Sequence, residues 1–458
     1  MSDHAPVVVL GAGLTGLSTA YHLDGIPTIV VEREAEAGGL CRTHREDGFT
    51  FDCTGHLLHL KAAPVRALVD RLLPGALASH ERRAHIFSKN VLTPYPFQAN
   101  LHGLPAAVVR ECIAGFVEAL VERERHGEPD VARLSFRAWA EATFGRGIAA
   151  HFMIPYNAKL WRTDLDDIEC GWVSWSIPRP TLGEILDGAL GTPVRGLGYN
   201  PTFLYPRRGG ISLLPEALAA RCPDVRLGET VVGVDAAARR VRLAGGGSLT
   251  YETLVSTLPL DRLLAMTSGL PTDLPAAGRR LRAVRVLNIS LGVDRPRVSD
   301  AHWIYYPEPE YSFYRAGFPG NLSPSLVPRG CSSLYVERSL LRDEPFDPDE
   351  VIDTAVDDLK RAGILRRGDR VVYRRVGVLD PAYVIYDRFR AGHVARCLEA
   401  LAGADIVSAG RFGAWEYSSM EGAIRAGMDI AARLGAAHGP RRAAGDGGRG
   451  RDARGGSA

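Results

Sequence analysis

The pattern of apolar and polar positions is clearest near the start of the chain. Residues 7–10 are consecutive apolar residues, residues 11–16 carry Gly11, Gly13 and Gly16, residues 17–23 have the spacing of a short amphipathic helix, and residues 28–31 form a second, mainly apolar run closing on Glu32. Short apolar runs bounded by glycine read as buried strands, so strand, glycine turn, helix and second strand are expected here. Alternation predicts a strand over residues 48–52 and a hairpin over 82–96 that turns at Ser88-Lys89-Asn90. Val108, Val109, Ile113, Phe116, Val117, Leu120 and Val121 recur at spacings of three and four, which predicts a helix over 104–125 with those residues inward. Ser135 is placed to cap a helix over 135–143.

Beyond this helical region, residues 205–210 make a glycine turn that opens a helix over 213–220. Strands are expected at 229–234, 240–243 and 253–257, with Ala244-Gly245-Gly246-Gly247 as a hairpin turn. Alternation over 284–293 and 371–378 suggests an antiparallel sheet interrupted by a helix over 350–362. A short buried strand at 406–410 and an amphipathic helix at 420–434 follow. Residues 439–458 are mostly Gly, Arg and Ala, with almost nothing to bury, and are expected to be disordered.

At 458 residues the chain is long enough for two or three domains. Its 46% apolar and 24% charged residues are those of a soluble globular protein, and a net charge of +2 offers no electrostatic basis for nucleic acid or an anionic membrane surface. Seven cysteines without regular spacing suggest a reducing compartment rather than a disulfide framework. Cys53, His56 and His59 lack a second paired cluster and read as non-ligands, so no metal site is assigned. The start runs almost directly into the first strand, and no apolar run reaches membrane-span length, so a cytoplasmic enzyme is the expectation.

The chemistry of the opening stretch is specific. Gly11 permits a tight turn, Gly13 lets a pyrophosphate approach the backbone, and Gly16 lets the helix lie against the strand, so an anion meets free N–H groups at a helix N-terminus. Glu32 ends the second strand, where a carboxylate accepts from a ribose diol, which suits FAD or NAD better than NADP. A second glycine pair, Gly38-Gly39, precedes Arg42, which is placed to neutralise the same pyrophosphate, and this moves the expectation towards FAD. The fold class expected is therefore α/β. A discontinuous Rossmann-like FAD-binding domain comprises 1–64, 200–262 and 395–438, with an inserted mainly helical domain over 65–199 and an antiparallel-sheet substrate domain over 263–394. A helix starting at Met420 either aims its positive end at the electron-rich edge of a reduced flavin or only covers the sheet, and spacing does not choose between them.

The glycine turn, Glu32 and the Gly39–Arg42 stretch resemble the flavoproteins that include amine oxidases, protoporphyrinogen oxidase and UDP-galactopyranose mutase. Four further stretches, residues 93–100, 152–161, 303–315 and 410–417, resemble the UDP-galactopyranose mutase family, its eukaryotic branch more than the short bacterial one. The resemblance implies that Gly11, Gly13, Gly16, Glu32, Gly39, Arg42, Val231, Gly410 and Met420 hold FAD, and that His56 lies beside the flavin ring. It places Tyr95, Gln98, Phe152, Asn157 and Trp161 around nucleotide and sugar, Asn200 near the sugar, and Trp303, Tyr305 and Arg315 along the cleft. Tyr383 and Tyr417 would meet the diphosphate, and Arg411 the flavin–sugar region.

The implied reaction interconverts pyranose and furanose forms of a nucleotide sugar, with N5 of the reduced flavin attacking the anomeric carbon. One departure stands against it. The family's first diphosphate arginine should fall fifteen positions after Trp161, where this chain has Ser176, with Arg179 and Arg195 as the nearby substitutes. That motivates a second expectation, an FAD-dependent oxidase or desaturase of an amine or natural-product intermediate. A third is a flavin-bound homologue without activity. No second complete glycine fingerprint is present, so NAD(P)H serving as reductant would use the flavin cleft itself. The oligomeric state is open, and a homodimer is admitted.

Overall fold

A computed structural model describes residues 2–171, 176–198 and 200–438. The expected disorder of 439–458 lies outside the described residues.

The first sheet is built on five parallel strands in the spatial order Val225–Arg226, Thr28–Val31, Ser2–Leu10, Ser248–Ser256 and Ile406–Ser408. Strands buried on both faces need continuous apolar runs, and Val7 to Leu10 are wholly buried. The hairpin Val231–Asp235 with Arg240–Leu243 joins the early half of Ser248–Ser256 antiparallel. The strand expected at 253–257 starts five residues earlier because residues 248–250 pair with both 240–242 and 2–4.

The C-terminal segment seats on the first helix, Leu14–His22, through missing side chains. A Cβ on Gly427 of the helix Met420–His438 would come within 2.6 Å of Ser18 Cβ and 2.7 Å of Thr15 O, and one on Gly410 within 2.7 Å of Thr15 Oγ1. Ser18 Oγ donates to Ile424 O at 2.8 Å, so the two helices are bonded as well as packed.

The second sheet has seven strands in the order Val371–Val384, Ala283–Val293, Ser332–Leu341, Arg315–Gly317, Trp303–Tyr305, Ala84–Ser88 and Val91–Pro94. The expected hairpin at 82–96 is the pair Ala84–Ser88 and Val91–Pro94. It belongs to this sheet, joined parallel to Trp303–Tyr305, so the segment 65–199 supplies two strands to the sheet formed mainly by 263–394. Leu77–Glu81 pairs with Thr202–Pro206, which ties the start of that segment to the chain beyond its end.

The helix Ala106–His126 crosses Phe136–Ile148 at glycines. A Cβ on Gly145 would lie 2.1 Å from the backbone of Gly115, and one on Gly147 2.2 Å from Glu111 O. This contact corrects the expected inward face: Val108, Cys112, Gly115, Phe116 and Ala119 are buried, whereas Val117 and Val121 are 38% and 41% exposed. The other five still face the core: Val108 and Phe116 are buried, and Val109, Ile113 and Leu120 pack against the same cluster. Ser135 caps the second helix, its Oγ accepting from Ala138 N at 3.2 Å.

Gly427→Ala is expected to destabilise the protein by about 1–3 kcal/mol through overpacking, read as a lower urea midpoint, while Gly435→Ala, with open space at its Cβ, leaves the midpoint unchanged.

Candidate active site

The dinucleotide turn contains two kinds of glycine. A Cβ on Gly11 would strike Thr257 Oγ1 at 2.3 Å, and one on Gly16 would strike Gly11 O at 2.0 Å, so the protein itself needs both. Nothing lies within 4 Å of a Cβ on Gly13. Gly13 is the N-cap of Leu14–His22, with no side chain capping it, so open space meets free N–H groups at a helix start. A Cβ on Gly39 would lie 3.3 Å from Gly13 Cα, and Gly13 bridges to Gly38, so the second glycine pair lies on the first. Glu32 is pinned at the strand end, Oε2 accepting from Ala12 N at 2.9 Å and Oε1 from Glu34 N at 3.0 Å. Glu229 N donates to Glu32 O at 2.9 Å, and Val231 begins the next strand two residues on. An uncapped backbone cradle beside a buried carboxylate fits the pyrophosphate and ribose of FAD.

Arg42 lies three residues beyond Gly39 and is paired within the protein. Its Nη1 pairs with Glu34 Oε2 at 2.8 Å and its Nε donates to Gly39 O at 3.0 Å, so its charge is balanced by a neighbouring carboxylate. Met420 starts the last helix, where Ser419 Oγ accepts from Gly422 N at 3.0 Å and Glu421 Oε1 from the amides of Lys61 and Ala62 at 2.7 and 2.5 Å.

The cleft residues form a chain of ring contacts. Phe152 stacks between Phe97 and Tyr156 with centroids 5.1 and 5.5 Å away. Tyr156 meets Tyr305 edge-on at 5.3 Å, and Tyr305 meets Tyr95 at 5.7 Å. Trp161 meets Tyr383 at 5.7 Å, and the Arg411 guanidinium lies between Tyr383 at 5.3 Å and Tyr417 at 4.9 Å. Arg411 is aimed by two carbonyls, those of Ser418 and Ala382, each 3.0 Å away. Asn157 accepts from Trp161 Nε1 at 3.1 Å and donates to Met153 O at 2.8 Å, which orients the indole. Trp303 packs against Phe203 with centroids 6.1 Å apart, and cross-strand register sets it opposite Gly317.

Gln98 differs from a cleft-facing role: it is 1% exposed and donates to Pro178 O at 2.7 Å. Asn200 Oδ1 accepts from Arg82 Nη1 at 2.6 Å, and Arg82 lies over the Tyr95 ring at 4.5 Å. Sequence reasoning missed Arg82, although it stands at the edge of the predicted hairpin. Neither expected substitute for the missing arginine lies at the ring chain: Arg179 sits over Trp139 at 5.9 Å and reaches Glu128 at 3.9 Å, and Arg195 is exposed.

Arg315 is opposite Tyr305 on one neighbouring strand and Glu337 on the other. Its Nε and Nη2 donate to Glu337 at 2.9 and 2.7 Å. Burial pushes the Glu337 carboxyl up, but the Arg315 guanidinium outweighs it and holds the pKa below the usual carboxylate range. Both groups are therefore charged, and together neutral.

His56 has a buried Nδ1 without a hydrogen-bond partner among the described residues. Burial, reinforced by Arg411, brings its pKa down to about 4, so it is a neutral imidazole at pH 7. Burial raises the phenols of Tyr95, Tyr156, Tyr305 and Tyr383. The cleft thus offers neutral hydroxyls, one neutral imidazole and the Arg411 and Arg82 cations.

This fold and glycine turn define a dinucleotide-binding flavoprotein. The model of the flavin-containing amine oxidoreductases matches residues 14–435, and the chain belongs to that family. A crystal structure of reduced UDP-galactopyranose mutase is similar with a TM-score of 0.88 and 27% identity, covering 94% of each chain. A putative protoporphyrinogen oxidase from Exiguobacterium shares the fold, with a TM-score of 0.70 and 15% identity over 95% of this chain and 99% of that one. An inactive all-trans-retinol 13,14-reductase of Danio rerio is 45% identical over 53 residues, which are 11% of this chain and 9% of that protein. The family implies FAD as the cofactor.

Two outcomes follow from this geometry. Gly13→Ala should leave apoprotein stability unchanged and lower flavin retention after gel filtration, whereas Gly16→Ala should lower both, since only the second meets backbone. His56 has a folded pKa of about 4, below the unfolded value of about 6.5. The unfolded state therefore takes the proton first, and stability falls as pH drops from about 6.5 to about 4. His56→Gln should flatten that part of the urea-midpoint profile against pH.

Proposed function

We propose that the protein is a flavin-dependent mutase that interconverts pyranose and furanose forms of a nucleotide sugar. The observation that carries this reading is a pair of side-chain runs, one of aromatic rings from Phe152 through Tyr156 to Tyr305 and one from Trp161 through Tyr383 and Arg411 to Tyr417. The extended likeness to UDP-galactopyranose mutase supports it. Reduced FAD would supply a nucleophile for the anomeric carbon, and the cradle at Gly13 with Glu32 would hold that cofactor.

The chain's own residues do the rest. Phe97 and Phe152 stack beneath Tyr156, whose ring is the partly exposed one that a base would meet, and Asn157 holds Trp161 against Tyr383. Arg411, fixed by two carbonyls, places positive charge between Tyr383 and Tyr417, where a departing diphosphate would be stabilised. Arg315 offers Nη1, the donor that Glu337 leaves unused. His56, neutral at pH 7, can accept or donate a hydrogen bond without adding charge.

Dithionite-reduced protein incubated anaerobically with UDP-galactofuranose or related NDP-furanoses is expected to yield the pyranose form on chromatography, and oxidised protein to yield none. Arg411→Lys should lower turnover by about 10²-fold, because an ammonium cannot reproduce the two-carbonyl fork. Absence of product from every NDP-sugar tried would reject the mutase reading.

The neutral Arg315–Glu337 pair and Ser176 favour one second reading, an FAD-dependent oxidase of a less anionic amine or natural-product intermediate. It predicts substrate-dependent flavin bleaching with oxygen uptake.

A further inference from the structure

Glu337 is an acid in the middle of the apolar strand Ser332–Leu341 and is 0% exposed. Burying a carboxylate there requires partners, and it has three donor groups. Arg315 supplies Nε at 2.9 Å and Nη2 at 2.7 Å, and Thr54 Oγ1 donates to the same Oε1 that Nη2 reaches. Thr54 is two residues from His56. Tyr335, one alternation earlier on the strand, fills the adjoining space: a Cβ on Gly55 would lie 2.1 Å from its hydroxyl, and one on Gly317 2.2 Å from its ring. One strand therefore seats both the Thr54-Gly55-His56 loop and the strand that carries Arg315. Arg315 is 19% exposed, and its Nη1 has no hydrogen-bond partner among the described residues, so that nitrogen is the donor left for the cleft.

We propose that Glu337 is a positioning residue of this site, which sets the direction of Arg315 and the His56 loop as one unit and cancels the arginine's charge. Arg315 then meets a ligand as a directional donor within a neutral pair, and the net positive charge of the cleft comes from Arg411 and Arg82. Neutral pairing keeps the anion affinity of the cleft modest and holds down the local positive potential felt by a flavin beside His56. The inference rests on the reading of His56 as a wall of the flavin pocket, and it holds whether the enzyme is a mutase or an oxidase.

Two variants of the flavin-loaded enzyme separate the roles. Glu337→Gln keeps an acceptor and removes the charge; Thr54→Val keeps the shape and removes the loop tie. The readouts are the flavin midpoint potential, the flavin visible circular dichroism, and the dissociation constant of inorganic pyrophosphate followed by flavin absorbance. Glu337→Gln is expected to raise the midpoint potential and tighten pyrophosphate about fivefold or more, the scale of one uncompensated charge at a few ångströms in wet surroundings. Thr54→Val should alter the circular dichroism while leaving pyrophosphate affinity within about twofold. A flavin-loaded Glu337→Gln enzyme with wild-type potential and pyrophosphate affinity overturns the proposal. If that variant does not fold or retain flavin, Thr54→Val decides, and an unchanged circular dichroism overturns it. None of these readouts involves sugar turnover, so failure of the mutase assay leaves this test intact.

Discussion

The structure depends on the chain's end lying on its beginning. The helix Met420–His438 reaches the helix Leu14–His22 because Gly427 has no Cβ to strike Ser18 and Thr15, and Gly410 none to strike Thr15. The bond from Ser18 to Ile424 spans 406 positions of sequence, so the cofactor half exists only once the intervening chain has folded back.

Inside that frame the second sheet brings together residues that lie far apart in the chain. Cross-strand pairing lines up Tyr305, Arg315, Glu337 and Asn288 in one row, and the row crosses from the cleft into the core. A buried ion pair contributes little net stability, but removal of one partner leaves an uncompensated charge at a cost of several kcal/mol. Its value is directional. The same carboxylate that fixes Arg315 also holds Thr54, so the geometry of the arginine and of the His56 loop cannot vary independently.

Much of the fold was legible because its signals are local. The glycine turn with Glu32, the hairpin at 84–94 and the helices beginning at 106 and 136 follow from periodicity, capping and turn chemistry within windows of a dozen residues or so. The errors came where distant backbone intervenes. Val117 and Val121 have the spacing of the apolar face, yet the buried side of the helix is centred on Cys112, Gly115 and Phe116, and both valines are exposed. Glu337 left a readable trace, a lone acid in the apolar string Leu334-Tyr335-Val336, but its partner lies 22 positions away and no spacing rule connects them.

By itself the sequence determined the glycine turn, the uncapped helix start and the strand-end acid, because each is a property of a few adjacent residues. It also determined the residue types available to the cleft. Which of them meet was decided by the tertiary structure alone: Arg82 bonded to Asn200, Gln98 turned to Pro178, Arg411 set between two tyrosines, and Arg315 neutralised by Glu337. The physical reason is that burial and pairing set the charge of a side chain, and both are properties of neighbours in space rather than in sequence.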